Sequence, residues 1–381
     1  MSPVTLLQPG RLVFGSGCAL QCAEHLTGLG LKCLLVVTSA PLLGTIEPFV
    51  QKLEFGGATV TVCSAVNAEP GIRMFEEILA LAESVSPDAV IGIGGGSAMD
   101  VAKLVAALVG SEQRIHEVFG VNKLAGRDVY LVCLPTTAGT GSEVSPNAIL
   151  LDERDQLKKG VVSRHLVADA AFVDPLLTLS VPPAVTAATG LDALVHCIEA
   201  YTNKFAHPLV DIYALEGIRR IGGSILAAVQ DGKNLAAREN MALGSLFGGL
   251  CLGPVNTAAV HALAYPLGSE FHIAHGVANA LLLPHVMRFN LPAAPERYAA
   301  VAVALGAEQK DSLEKTVQAG LQLVAKLTQQ CGVPLHMAEL GVPADAIPRM
   351  AKAAMTVERL LKNNPRVLTE ADAVSLYQAA F

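Results

Sequence analysis

"DAVIGIGGGSAMDVAK", residues 88–103, is the stretch on which the fold turns. A short apolar run rich in Val and Ile leads into three consecutive glycines, and then into a helical pattern whose apolar face is Val101, Leu104, Val105 and Leu108. A strand, a bare turn and a helix in that order present backbone N–H groups and a helix N-terminus to an anion, and glycine lets a phosphate approach the backbone closely. Gly94, Gly95, Gly96 and Ser97, with Asp100 in the first turn of the helix, are therefore candidate cofactor-binding residues. Ser97 and Asp100 also spell S-x-x-D, so a capping box is expected at the start of the same helix. The turn is neither G-x-G-x-x-G nor a Walker loop, and it lacks the lysine that would reach terminal phosphates, which disfavours ATP chemistry.

Outward from this unit, "RLVFG", "KCLLVVTS", "TVTVCSAV" and "VYLVCLPTT" repeat the strand signal, several of them separated by amphipathic segments. Alternation of this kind predicts a parallel sheet covered by helices. After "VDPLLTLSVPP" (173–183) the strand-like runs largely vanish. Leu313, Val317, Leu321 and Val324 recur at helical spacing, with Gly332 and Pro334 as a stop. The expected division is an α/β domain over 1–180 and an all-helical domain over 181–381, with a cleft between them as the default site.

The 381 residues, 52% of them hydrophobic, are enough for two cores. No apolar run is long enough to span a membrane, and the N-terminal residues lack a signal-peptide pattern, so a cytoplasmic protein is expected. A net charge of −7 without a basic block argues against a nucleic-acid partner. The eight cysteines form no CxxC pair, and Cys33, Cys63 and Cys133 lie in apolar strand-like runs, as reduced structural thiols would.

Two further stretches carry chemistry. "PTTAGTGSEVS" (135–145) follows a strand, and such turns gather at the carboxyl edge of a doubly wound sheet. Thr136, Thr137, Thr140 and Ser142 are candidates to wrap a cofactor's phosphate or ribose. In "LDALVHCIEAY" (191–201), Asp192 and His196 interrupt a run suited to a buried helix. Four residues apart, they stand on one helix face and can grip one ion. His261 and His275 lie in "HALAYPLGSEFHIAHGVANALLLPH", again among apolar residues where an unpaired polar group is costly. Singly, each of these histidines fits a hydrogen-bonded core position; one carboxylate with three imidazoles forms a set suited to Fe(II) or Zn(II) and not to Ca or Mg.

"GGGSAMD", "TTAGTGSE", "DALVHCIEAY" and "HALAYPLG…HGVANALLLPHV" together resemble the iron-containing (group III) alcohol dehydrogenases over essentially the whole chain. The resemblance implies an N-terminal dinucleotide-binding α/β domain followed by an all-α metal-binding domain, the two-domain plan shared with dehydroquinate synthase. It also implies a homodimer, NAD or NADP as cofactor, and a small alcohol or aldehyde as substrate. Asp192, His196, His261 and His275 fall on the family's four metal-ligand positions, and Lys159 in "QLKKGVV" looks like a further cofactor contact. The implied activity is reversible alcohol to aldehyde or ketone interconversion by hydride transfer. Maleylacetate reductase-like and glycerol dehydrogenase-like enzymes, or a nucleotide-sensing protein without catalysis, are the alternatives.

Two departures matter. Where many members carry a second histidine four residues after the third ligand, this chain has Tyr265, and His272 is the candidate to take over proton transfer, since an imidazole titrates near neutrality. Where NAD-preferring members end the second strand with Asp, this chain has Ser39, which cannot repel a 2′-phosphate. "SAPLLGTIEPF" (39–49) offers no Lys or Arg to attract one either. Use of both cofactors with a mild lean to NAD is expected.

Overall fold

Short runs of β-branched and apolar residues assemble into a six-stranded, wholly parallel sheet in the computed structural model, which describes residues 3–66, 69–154 and 157–381. The chain divides into two units, one of residues 7–137 and 141–180, the other of residues 3–6, 138–140 and 181–381.

In the first unit, β1 (Arg11–Phe14) and α1 (Cys18–Gly28) precede β2 (Cys33–Val37), α2 (Leu43–Phe55), β3 (Thr59–Cys63), α3 (Ile72–Val85), β4 (Ala89–Gly94) and α4 (Gly96–Leu108). There follow α5 (Ile115–Val118), β5 (Gly120–Val121), β6 (Tyr130–Pro135), β7 (Asn147–Asp152), β8 (Leu157–Val162) and β9 (Ala170–Val173). The main sheet runs β1-β9-β6-β4-β2-β3. One apolar core, with Phe75, Val101 and Leu131, covers one face, and a second, with Leu26, Phe49 and Phe172, covers the other. Burial on both faces explains why β2, β4 and β6 read as continuous apolar runs.

The chain leaves β2 toward β3 on one side and leaves β4 toward β6 on the other, so β2 and β4 flank the point where the winding reverses. Ligands of open α/β sheets bind at the carboxyl end of that point. The glycine turn after β4 and Ser39 after β2 both lie there. Gly94 pairs with Pro135, and the Thr136 amide donates to the Gly94 carbonyl at 2.9 Å, which brings the Thr-rich loop to the same edge.

The sequence gives no warning of a second, three-stranded sheet, β5-β8-β7, with β7 and β8 antiparallel. The expected capping box of Ser97 and Asp100 does not form. Helix α4 starts at Gly96 with Gly95 as N-cap and no side-chain cap. Asp100 instead accepts from the Ser142 hydroxyl at 2.5 Å and the Ile149 amide at 3.0 Å, because β7 packs beside the helix and offers partners that the helix terminus does not.

The second unit is helical: α6 (Pro183–Thr202), α7 (Pro208–Gln230), α8 (Leu235–Leu252), α9 (Ala259–Phe271), α10 (His275–Asn290), α11 (Pro295–Ala304), α12 (Leu313–Gln330), α13 (Ile347–Met355), α14 (Glu358–Leu361) and α15 (Glu370–Ala379). Helix α6 is buried on nearly every side and packs on α7, α8 and α10. The α12 stripe is as read, with Val317, Leu321 and Val324 buried and Gly332 in the left-handed region, but Leu313 is exposed. All eight cysteines are free thiols, seven of them buried. No helix among the described residues is long and apolar enough to cross a membrane.

Candidate functional site

Helix α6 supplies Asp192 and His196 one turn apart, both buried, with His196 Nε2 3.9 Å from Asp192 Oδ2. Helix α9 adds His261, whose Nε2 lies 3.6 Å from Asp192 Oδ1, and the first residue of α10 adds His275, whose Nε2 lies 3.7 Å from the same oxygen. Ligand atoms of Asp192, His261 and His275 all lie within 4.8 Å of one another. His196 stacks on His261 with ring centroids 4.9 Å apart, and His275 meets His261 edge-on at 5.2 Å. Of the other two histidines in 261–285, His272 is exposed, and His285 lies about 15 Å further along α10, at 1.5 Å of rise per residue, outside the cluster.

Close approach of α10 to α6 depends on Gly276, and the side chains around the cluster hold it in place. Asn279 Nδ2 donates to Asp192 Oδ1 at 2.7 Å and lies 3.2 Å from His275 Nε2. Burial opposes the charge of Asp192, yet the imidazoles of His196, His275 and His261 hold its carboxyl well below the usual range. His196 is lowered, chiefly by burial. Burial also acts to lower His261, but Glu199 and Asp192 lift it to about 9. The two buried carboxylates, Asp192 and Glu199, face two buried imidazoles and the partly exposed His275, and their negative charge attracts a cation.

The residues fit a divalent cation. His261 Nε2 is buried with no hydrogen-bond partner, although its other nitrogen is bound, and an orphaned buried donor atom is costly unless something binds it. One carboxylate oxygen and two imidazole nitrogens lie close enough together to share an ion, and His196 stands beside them but outside that group. Oxygen with imidazole nitrogen is the donor chemistry of a borderline transition metal.

Glu199 escaped the sequence reading. It sits one turn after His196, is buried, and its Oε2 accepts from His261 Nδ1 at 2.6 Å. Its signal was present in "LDALVHCIEAY": a third polar residue at helical spacing in the same apolar helix.

In the α/β unit the glycines serve packing as well as access. A Cβ on Gly94 would stand 2.7 Å from the Ala98 Cβ, and one on Gly92 would stand 2.8 Å from the Ala102 Cβ, so α4 meets β4 only because these positions are glycine. Thr137 Oγ1 lies 3.5 Å from where a Gly95 Cβ would be, which puts its hydroxyl beside the turn. Gly96 and Ser97 open α4. Thr136 and Ser142 are buried, Thr137 and Thr140 partly exposed, and Thr140 clusters with the helical unit. Lys159, on β8, donates to the buried Asp152 at 2.6 Å. Arg154 shares that carboxylate, and the two cations hold Asp152 well below the usual range.

Residues 9–175 match the iron-containing alcohol dehydrogenase family, and residues 186–381 match the Fe-containing alcohol dehydrogenase family, C-terminal. The chain belongs to the iron-containing alcohol dehydrogenase family. Across its full length it is 39% identical to long-chain-alcohol dehydrogenase 1 of Geobacillus thermodenitrificans, covering 98% of that protein. The crystal structure of a 1,3-propanediol oxidoreductase superposes with a TM-score of 0.96 at 33% identity, covering all of both chains. Sulfoacetaldehyde reductase of Bifidobacterium kashiwanohense, solved in complex with NAD+, superposes with a TM-score of 0.91 at 27% identity, over 100% of this chain and 99% of that one. Family membership accounts for the two-domain plan of a parallel α/β domain followed by a helical one.

Proposed function

We propose that this family member is an NAD(P)-dependent oxidoreductase that interconverts a small alcohol with its aldehyde or ketone at a divalent metal held by Asp192, His196, His261 and His275. The observation that carries the proposal is the convergence of His261 and His275 on one oxygen of the buried Asp192, at 3.6 and 3.7 Å, with His261 Nε2 left unpartnered. A bound Fe(II) ion, or Zn(II) in its place, would supply Lewis acidity toward the substrate oxygen, and a nicotinamide would exchange hydride with the substrate carbon.

The chain's own residues do the rest. Asn279 fixes the rotamer of Asp192, and the apolar side chains of α6, α9 and α10 keep water from the buried faces of the ligands. His275 is the most open of the four, with 36% of its side chain exposed, so the substrate side of the centre lies there. The turn Gly94–Gly96 with Ser97 offers amides for a pyrophosphate, with Thr136, Thr137, Thr140 and Ser142 around it, Asp100 anchoring the loop and Lys159 as a further contact. Ser39 would face the adenosine ribose, and His272 would carry the proton to and from solvent. A homodimer is proposed on the family resemblance, supported by the edge position of β1 with Leu12 and Phe14 partly exposed.

The test is an anaerobic assay of the metal-stripped chain with NADH or NADPH and a panel of small aldehydes. Turnover that appears only on adding Fe(II) or Zn(II), and disappears in Asp192→Ala, is expected; turnover without metal overturns the proposal.

A further inference from the structure

Glu199 makes three contacts at once. Its Oε2 accepts from the Ala258 amide at 3.0 Å and from His261 Nδ1 at 2.6 Å, and its Oε1 accepts from the Val260 amide at 2.6 Å. The two amides belong to the start of α9, so one carboxylate of α6 satisfies orphan N–H groups at a helix N-terminus and grips the ring of the third residue of that helix.

From this geometry we infer that Glu199 is a positioning residue for the metal centre: it sets the tautomer and the orientation of His261 so that Nε2 faces the ion. The inference rests on the metal-centre reading above and concerns how this chain builds it. A carboxylate only accepts, so the proton shared with it stays on Nδ1, and Nε2 is the nitrogen left to give up its proton and bind the ion. That nitrogen points toward Asp192 Oδ1 and has no hydrogen-bond partner. A carboxylate bound to the far nitrogen of a ligating imidazole also raises its basicity as a ligand. Helix capping alone needs only an acceptor for the two amides and is indifferent to the imidazole. The 2.6 Å contact to Nδ1 is the feature that capping leaves unexplained.

Glu199→Gln separates the two roles. The amide of glutamine is nearly isosteric and keeps one oxygen for the helix start. If its NH2 faces the ring, it donates to Nδ1 and drives the ring proton onto Nε2, which abolishes the donor. If it faces Val260 instead, two donors meet and the side chain is pushed from the ring. Titration of metal-free full-length protein with Co(II), followed by its visible absorption, reads affinity without turnover. Weakening of ten- to a hundredfold relative to wild type is expected for a residue behind a ligand. Binding within twofold of wild type, with only a lowered Tm, reduces Glu199 to a helix cap and overturns the inference.

Should the variant not fold, wild-type protein decides. In the Zn(II)-loaded chain, long-range proton–nitrogen NMR is expected to show His261 protonated at Nδ1 and metallated at Nε2, and the opposite assignment overturns the inference. Wild-type protein that takes up neither Co(II) nor Zn(II) overturns the metal-centre reading itself, and this inference with it.

Discussion

Gly276 approaches the carbonyl of Ala188 so closely that a Cβ on it would stand 1.9 Å from that oxygen and 3.2 Å from the Cβ of Asp192. The missing side chain is what lets the first turn of α10, and hence His275, reach α6. Gly276→Ala must push the two helices apart, since backbone cannot yield as a flexible side chain would. Overpacking of this kind costs about 1–3 kcal/mol. A lower Tm together with weaker Co(II) affinity is expected, and a variant with wild-type values in both would show that α10 can shift without disturbing His275.

Glu143 lies buried in the Thr-rich loop, and burial pushes its carboxyl up from 4.5 to about 7, with Lys103 pulling the other way. Between those two values the folded chain holds a proton that the unfolded chain releases. Stability therefore falls as pH rises through this window and levels off above it, by roughly 3 kcal/mol in all for this group. Urea denaturation at pH 5 and pH 8 checks the sign. Glu143→Gln is expected to flatten the dependence; an unchanged slope would place its origin elsewhere.

Lys103 shows how far local pattern can mislead. It lies off the apolar face read for α4, where a solvent-facing position would be assumed, yet α4 is buried almost all round, and Lys103 is fully buried and donates to the carbonyls of Ser145 and Asn147 at 2.9 Å each. Asp100 reads as a cap and is a tether to β7 for the same reason: the partner that decides its role lies more than 40 residues away. The β4 to α4 unit was legible because its strand, turn and helix are contiguous, and the polar residues of α6 were legible because they repeat at helical spacing. Strand β9, "AAFV", is too short to signal itself, and β7 alternates buried and half-buried residues that only its pairing with β8 reveals. What sequence does not supply is contact between distant segments: the spacing of Glu199 on α6 is visible in the sequence, but its role depends on His261, 62 residues away.

His272 caps α9 with φ of 55°, an unusual conformation for a non-glycine residue, and its side chain is exposed. A proton carrier and a simple cap predict different variants. His272→Gly relieves the backbone and is expected to fold at least as well as wild type, while losing about tenfold or more in turnover if the imidazole moves the proton. Comparison of pH–rate profiles for wild type, His272→Gly and His272→Gln decides: unchanged profiles leave His272 as a cap alone.

Ser39 follows β2 at the carboxyl edge of the sheet, next to the strand that ends in the glycine turn, and an isolated bridge to Ala65 holds its backbone there. From this place an acidic side chain would accept hydrogen bonds from the adenosine ribose and repel a 2′-phosphate. Serine does not repel, and the segment that follows, from Ala40 to Phe49, carries no Lys or Arg to pair with that phosphate. The expected enzyme uses both cofactors, with kcat/KM for NADH modestly above that for NADPH. Ser39→Asp should lower kcat/KM for NADPH by tenfold or more, equivalent to about 1.4 kcal/mol, and leave NADH nearly unchanged. A wild-type preference for NADPH above roughly a hundredfold would require a basic residue from another segment at the ribose. A Ser39→Asp variant that still uses NADPH normally would mean that the ribose lies against a different residue of the edge.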